Sequence, residues 1–200
     1  MIFGKGMIGG KGRSLLFALR KLRDSGDPQL SNSKVPESIY FGIDIFHRFL
    51  ESVPSLDVLI SQNDPERLEA VFLKTPLPTI VTEALRKYLS EMHDPVVIRS
   101  SSRLEDSVKH SFAGKYLTTF MSNDSPSLEE RVRIVEREIR KIYSRIYFPE
   151  ATSYREKHGL GDDDMGIIVI RMSGRWHGRY YYPTIAGVGY SQNFRRWNKR

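Results

Sequence analysis

Apolar positions in several stretches of this chain recur at steps of three and four residues, the spacing of one helical face. The leucines of 15–22 predict a helix that follows a glycine turn and ends near 26–28. Further helices are predicted after Asp44 and after Asp64, both able to cap a helix N-terminus, and over 79–92.

The longest amphipathic pattern covers 128–146, behind a capping-box signature at Ser127 and Glu130. Pro149 predicts the end of this helix, and another helix then extends to Gly159. Packing against its own domain is the favoured role of the long helix, and a coiled-coil partner helix is the alternative.

Short β-branched or aromatic runs predict the strands. They lie at 39–41, 95–98, 116–121, 165–172, 180–183 and 187–191. Strands and helices do not alternate strictly, so we expect an α+β fold with a mainly antiparallel sheet and flanking helices.

Composition narrows the class of protein. The 200 residues contain no cysteine, which excludes disulfides and zinc–thiolate sites and fits a cytoplasmic location. The net charge of +7 favours anionic partners, and 171–200 contains seven Lys or Arg and no Asp or Glu.

A glycine-rich turn is the first candidate anion site. Gly9, Gly10, Lys11 and Gly12 precede the first helix, where backbone N–H groups and a lysine can bind phosphate. The turn is not a Walker A motif, because Gly12 stands where Ser or Thr is required. A turn without a ligand is the alternative.

The segment 99–115 is the second candidate, at the end of an apolar strand. Arg99 can bind phosphate in two-point fashion, while Ser100 and Ser101 offer hydroxyls. Glu105 and Asp106 can orient the basic side chains. The small residues Ala113 and Gly114 and the cation Lys115 complete the set. A solvated loop with a local ion pair is the alternative.

The acidic, histidine and aromatic residues are weaker candidates for a functional site. The acidic run 162–164 is expected to be an exposed turn, and the five histidines lack metal-ligand spacing. Aromatic and arginine residues interleave over 176–197, which leaves RNA binding as an alternative function, although nucleic acid is the less favoured partner.

Both anion motifs resemble those of a known family, the N-terminal nucleotide-binding domain of phosphoenolpyruvate synthase and pyruvate, phosphate dikinase. That domain begins with Gly-Gly-Lys-Gly/Ala before a leucine-rich helix. Its central signature is Val-Arg-Ser-Ser-Ala-Thr-Ala-Glu-Asp, five residues, then Phe-Ala-Gly. This chain aligns with it without a gap at Arg99, Ser100, Ser101, Glu105, Asp106, Ser111, Phe112, Ala113 and Gly114.

The resemblance implies an ATP-grasp-like domain that binds ATP and Mg²⁺ as part of a phosphotransferase. Residues equivalent to Lys11 and Arg99 would contact the phosphates and act in catalysis. A carrier histidine on another domain would accept the phosphoryl group and pass it to pyruvate. Lys115 departs from the pattern, which usually has Gln, so another acceptor, such as an antibiotic or a glucan, is the alternative.

The resemblance also implies an incomplete domain. We expect a first lobe over 1–122, a helical segment over 123–160 and the start of a β-rich second lobe over 161–200. The metal ligands are not identified, and downstream phosphohistidine and pyruvate-binding domains are the expected partners. We expect this chain to be inactive alone, without any membrane association, and a homodimer is a candidate assembly of the full-length form.

Overall fold

The computed structural model describes residues 1–30, 32–105 and 116–189. Its α-helices are α1 Gly9–Asp24, α2 Ile43–Glu51, α3 Leu56–Ser61, α4 Pro65–Lys74, α5 Thr79–Glu91, α6 Leu128–Ser144 and α7 Pro149–Lys157. Its strands are β1 Ile2–Phe3, β2 Ser38–Phe41, β3 Val96–Ser102, β4 Thr118–Met121, β5 Met165–Arg171, β6 Arg175–His177 and β7 Tyr180–Tyr182. A 3₁₀ turn, Arg145–Tyr147, separates α6 from α7.

The main sheet has five strands in the order β1-β2-β5-β3-β4. β1 pairs with β2 in parallel, whereas the remaining neighbours pair antiparallel. The prediction of an α+β fold is confirmed, but the sheet is mixed rather than mainly antiparallel. The reason is β1, a two-residue strand without a recognisable pattern, which α1 connects to β2 as a crossover helix.

Strand β3 carries the candidate site and lies between β5 and β4. Its register with β5 runs from Val96 opposite Arg171 to Ser102 opposite Met165. Arg99 is opposite Ile168 on one side and Thr118 on the other. Because successive side chains alternate between faces, Val97, Arg99 and Ser101 share one face of the sheet.

One face of the sheet packs on most of the helices and forms the main core. Ile39, Ile98 and Val169 from the strands join α2, α4, α5, α6 and α7 in one buried cluster. The aromatic rings of Phe46 and Phe49 lie 4.9 and 5.3 Å from the ring of Tyr143. Packing of α6 on its own domain is therefore confirmed as the role of its apolar stripe.

Helix α1 packs on the opposite face in a smaller cluster. Ile8, Tyr40 and Ile168 are buried there, with Leu15 and Leu16 against them. The outer side of α1 is exposed, including Phe17 at 61%. This face of the sheet is only partly covered, which leaves room beside α1 for a ligand.

Several local predictions are confirmed and others are corrected. Asp64 caps α4 through the Arg67 N–H, and Ser127 caps α6 through the Glu130 N–H, at 3.0 and 3.3 Å. Asp44 is not the cap of α2. Its carboxylate instead accepts the N–H groups of Lys5 and Gly6 at 2.9 and 3.0 Å, and Gly42 takes the cap position.

The remaining predictions concern the C-terminal strands, the lobe boundaries and the membrane. Strand β7 is confirmed, whereas 187–189 forms no strand and 190–191 lies outside the described residues. The expected lobe boundaries stay predictions, and β5, within the expected second lobe, lies in the middle of the five-stranded sheet. Within the described residues, no helix is both long and apolar enough to cross a membrane.

Candidate functional site

The first turn of α1 lies directly on the end of β3. Gly12 donates its N–H to the Ser101 hydroxyl oxygen at 2.9 Å, and the Ser101 hydroxyl donates to the Ile8 carbonyl at 2.7 Å. Gly9 has φ +71°, and a Cβ there would lie 1.7 Å from the Ser101 carbonyl oxygen. Only glycine allows this approach, so the predicted glycine motif and the predicted Arg-Ser-Ser motif meet in one place.

Lys11 extends from this turn to the residues that follow Arg99. Its ammonium forms an ion pair with the Glu105 carboxylate and lies 3.5 Å from the Ser100 hydroxyl oxygen. The Glu105 side chain is 6% exposed, against 26% for Lys11. Glu105 also donates its N–H to the Ser102 hydroxyl at 3.0 Å, so the carboxylate is anchored to the strand end.

Arg99 lies on the face of the sheet that α1 partly covers. Its Nε atom is buried and has no hydrogen-bond partner within the described residues. The guanidinium borders a groove of about 460 Å³ that is mostly apolar. The groove is lined by Pro36, Val97, Arg99, Thr118, Phe120, Ile170, Arg171, Met172 and Ser173.

The two predicted cations are far apart in the sequence and do not share this groove. Lys11 is absent from the lining of the groove that holds Arg99. Its hydroxyl partner, Ser100, nevertheless follows Arg99 directly in β3, and consecutive Cα atoms lie about 3.8 Å apart. Both cations therefore lie near the end of β3, although the side chains of Arg99 and Ser100 alternate between the two faces of the sheet.

The acidic turn 162–164 differs from its prediction. Asp163 is 6% exposed rather than solvated, and its carboxylate accepts the Leu104 N–H at 3.1 Å and the Tyr116 hydroxyl at 2.6 Å. Asp164 pairs with His47 at 2.7 Å and with Arg103 at 3.4 Å. Sequence spacing could not show this, because the partners are about 50 to 120 residues away.

Hydrogen bonding extends inward from Asp163. Arg155, itself 7% exposed, donates to the Ile146 carbonyl at 2.9 Å and lies 3.5 Å from the Tyr116 hydroxyl oxygen. Burial raises the pKa of Tyr116, and the neighbouring Asp163 carboxylate adds to the effect. Tyr116 is therefore a neutral hydrogen-bond donor to Asp163 at neutral pH.

The described residues contain no group of three or more His, Asp or Glu side chains that could hold a metal ion. The Asp163 and Asp164 carboxylates are occupied by the contacts above, and Glu105 pairs with Lys11. The described side chains therefore identify no ligand set for the expected Mg²⁺.

Some predicted residues cannot be placed. Asp106, Ala113, Gly114 and Lys115 lie outside the described residues. Gly10 lies in the first turn of α1, where it is buried with Gly9 and Gly12. Of the C-terminal aromatic stretch, Trp176 and Tyr180 are 49 and 58% exposed on the β6–β7 ribbon.

The meeting of a glycine turn with an Arg-Ser-Ser strand end agrees with the comparison with known families. A model of the pyruvate phosphate dikinase AMP/ATP-binding domain matches residues 5–199, nearly the whole chain. The chain belongs to this family. A search of curated proteins gives no match. Membership of this family supports AMP/ATP binding by the chain and a phosphotransferase in general.

Proposed function

We propose that this chain binds ATP at the end of β3, with Lys11 and Arg99 neutralising the phosphate charge. The observation that carries the proposal is the packing of Gly9 and Gly12 on Ser101, which brings the two cationic motifs together. Phosphoryl transfer depends mainly on positioning and on charge neutralisation, and the two cations would supply the neutralising charge.

Arg99 has unused binding capacity. Its Nε atom is buried without a partner in the described part of the chain, and a buried donor without an acceptor costs about 1–3 kcal/mol. An anionic ligand in the adjoining groove would satisfy this donor. The apolar lining beside Arg99, which includes Val97 and Ile170, suits the base or ribose end of a nucleotide.

The ion pair with Glu105 positions the Lys11 ammonium for phosphate binding. The ion pair fixes the ammonium next to Ser100, so less side-chain entropy is lost when phosphate binds. The N–H groups at the start of α1 add partial positive charge at the same place. Gly10, which lies in this turn, allows the backbone to approach a phosphate closely.

The proposed reaction follows the family resemblance. ATP would phosphorylate a carrier histidine in another domain, and pyruvate would then receive the phosphoryl group. An antibiotic or glucan acceptor is the alternative. We propose an ATP-grasp-type arrangement, in which a second lobe beyond the described sheet completes the cleft. Mg²⁺ is the proposed companion of ATP, and no residue of this chain is assigned to it.

The test is calorimetric titration of ATP into the full chain and its variants. We expect Lys11→Ala and Arg99→Ala each to weaken binding about tenfold or more, the effect of losing one charge-assisted bond. Arg99→Met keeps the packing of the stem and should behave like Arg99→Ala.

Lys21→Ala and Arg175→Ala are the matched controls, because both remove an exposed cation elsewhere. They should bind ATP like the wild type. If all variants and the wild type titrate alike, or if the controls lose as much affinity as the site variants, the proposed function is wrong.

A further inference from the structure

We propose that Asp163 is a positioning residue for the phosphate site at the end of β3, acting through Leu104, which precedes Glu105, and through Tyr116, which precedes β4. This inference rests on the proposed function. The bridge, defined as Asp163 with the Leu104 N–H and the Tyr116 hydroxyl, joins residues on either side of 106–115.

The first arm of the bridge acts on Glu105. Asp163 Oδ1 accepts the Leu104 N–H at 3.1 Å, and Leu104 directly precedes the carboxylate that pairs with Lys11. The preceding residue, Arg103, donates its N–H to the Asp164 carbonyl at 2.9 Å. The acidic turn therefore fixes the backbone from which Glu105 reaches Lys11.

The second arm acts on the start of β4. Asp163 Oδ2 accepts the Tyr116 hydroxyl at 2.6 Å, and Tyr116 is followed by Leu117, whose carbonyl accepts the Ser100 N–H at 3.4 Å. Thr118 then pairs with Arg99. The same carboxylate therefore fixes the strand that lies beside Arg99.

The burial of Asp163 indicates a specific task. A carboxylate that is 6% exposed costs desolvation free energy unless hydrogen bonds compensate, and both of its oxygens have partners here. Oδ1 also accepts the Asp164 N–H at 2.9 Å. Neither a solvated turn nor packing alone requires a buried group with several hydrogen-bond partners in this place.

The bridge predicts different results for two substitutions of similar size. Asn can still accept the Leu104 N–H and can donate to the Tyr116 hydroxyl oxygen, so Asp163→Asn should retain the bridge. Asp163→Leu fills the same space without hydrogen bonds and should lose both arms. Tyr116→Phe should lose only the second arm, and Asp162→Asn is a charge-matched control at an exposed neighbour.

The experiment measures amide hydrogen exchange and ATP affinity on the full chain. In Asp163→Leu we expect exchange about tenfold faster at 103–105 and 116–118 than in the wild type, with α6 and β5 unchanged. ATP binding should weaken about fivefold or more in that variant, because the flanks of the site lose their fixed position. Asp163→Asn and Asp162→Asn should match the wild type in both measurements.

Three results would overturn the proposal. Exchange at 103–105 and 116–118 could stay as in the wild type, or it could rise equally in α6 and β5, which indicates global destabilisation. Local exchange could also rise while ATP affinity is unchanged and Lys11→Ala still weakens ATP binding. If Lys11→Ala also leaves ATP affinity unchanged, the proposed function is wrong. Amide exchange at 103–105 and 116–118 then still shows whether Asp163 holds these segments in place.

Discussion

Lys11 and Glu105 show how single residues join the two motifs. Their side chains come from α1 and from the residues after β3, which are far apart in sequence. The Lys11 side chain is mostly covered and that of Glu105 is buried, so solvent screens this pair less than an exposed pair. The pair therefore contributes to stability as well as to the position of the ammonium.

A double-mutant cycle of Lys11→Met and Glu105→Gln tests this contact. We expect a coupling free energy of unfolding of about 0.5–3 kcal/mol, measured by urea unfolding. The control cycle uses Arg86 and Glu129, whose side chains are 46 and 61% exposed, and should show little coupling. Equal coupling in the two cycles would contradict the description of Lys11 and Glu105 as a protected pair.

At the scale of elements, the site depends on the docking of α1 against β3. Gly9 allows the contact, because its φ is positive and its α-carbon faces the Ser101 carbonyl. On the neighbouring strand, Gly166 plays a similar part, since a Cβ there would lie 2.9 Å from the Ile8 carbonyl oxygen. Two glycines thus let the helix start lie directly on the sheet.

Gly9→Ala should destabilise the chain by about 1–3 kcal/mol, because it adds both backbone strain and a clash with Ser101. Gly26→Ala is the matched control. Gly26 has φ +60°, and beyond its chain neighbours no atom of the described residues lies within 4 Å of a Cβ built there, so only the strain applies. Urea unfolding should show the larger loss for Gly9→Ala, and equal losses would contradict this account of the α1 contact.

Local patterns in the sequence were sufficient for most helices. The caps at Asp64 and Ser127 and the apolar stripe of α6 follow from neighbouring residues, and the structure confirms them. Strand β1 and helix α3 have two and six residues, too short for a period to be recognised. The sheet order and the parallel pairing of β1 depend on contacts between distant segments.

Local sequence patterns also predict part of the candidate site, whereas its geometry depends on contacts between distant residues. The motifs identify Lys11 and Arg99 as cations, but their relation depends on tertiary contacts with Ser101 and Glu105. Asp163 gives no local signal, because its role comes from Leu104 and Tyr116. Acidic runs are usually solvated. Asp163 is buried instead, because the Leu104 N–H and the Tyr116 hydroxyl donate to its carboxylate.

At the scale of the whole molecule, buried tyrosines link stability to alkaline pH. Burial raises the pKa of Tyr147 to about 12 and also raises the pKa values of Tyr88, Tyr116 and Tyr143. In the unfolded chain these hydroxyls ionise near their ordinary pKa of about 10. The folded state therefore retains protons that the unfolded state loses.

The free energy of unfolding should fall as the pH rises above about 10 towards the folded pKa values, and this contribution should be constant below that range. Urea unfolding at a series of alkaline pH values measures the slope. Tyr147→Phe should make the slope shallower, whereas Tyr180→Phe, at an exposed position, should leave it unchanged. A stability that is flat or rises with pH would contradict this assignment.

The most direct test of the central claim compares ATP with AMP in the same calorimeter. If Lys11 and Arg99 bind the phosphates, the wild type should bind ATP more tightly than AMP. The ratio of the AMP to the ATP dissociation constant should fall about tenfold in each of Lys11→Ala and Arg99→Ala. A preference for ATP that is unchanged in both variants would contradict the claim that these two cations bind one triphosphate at the end of β3.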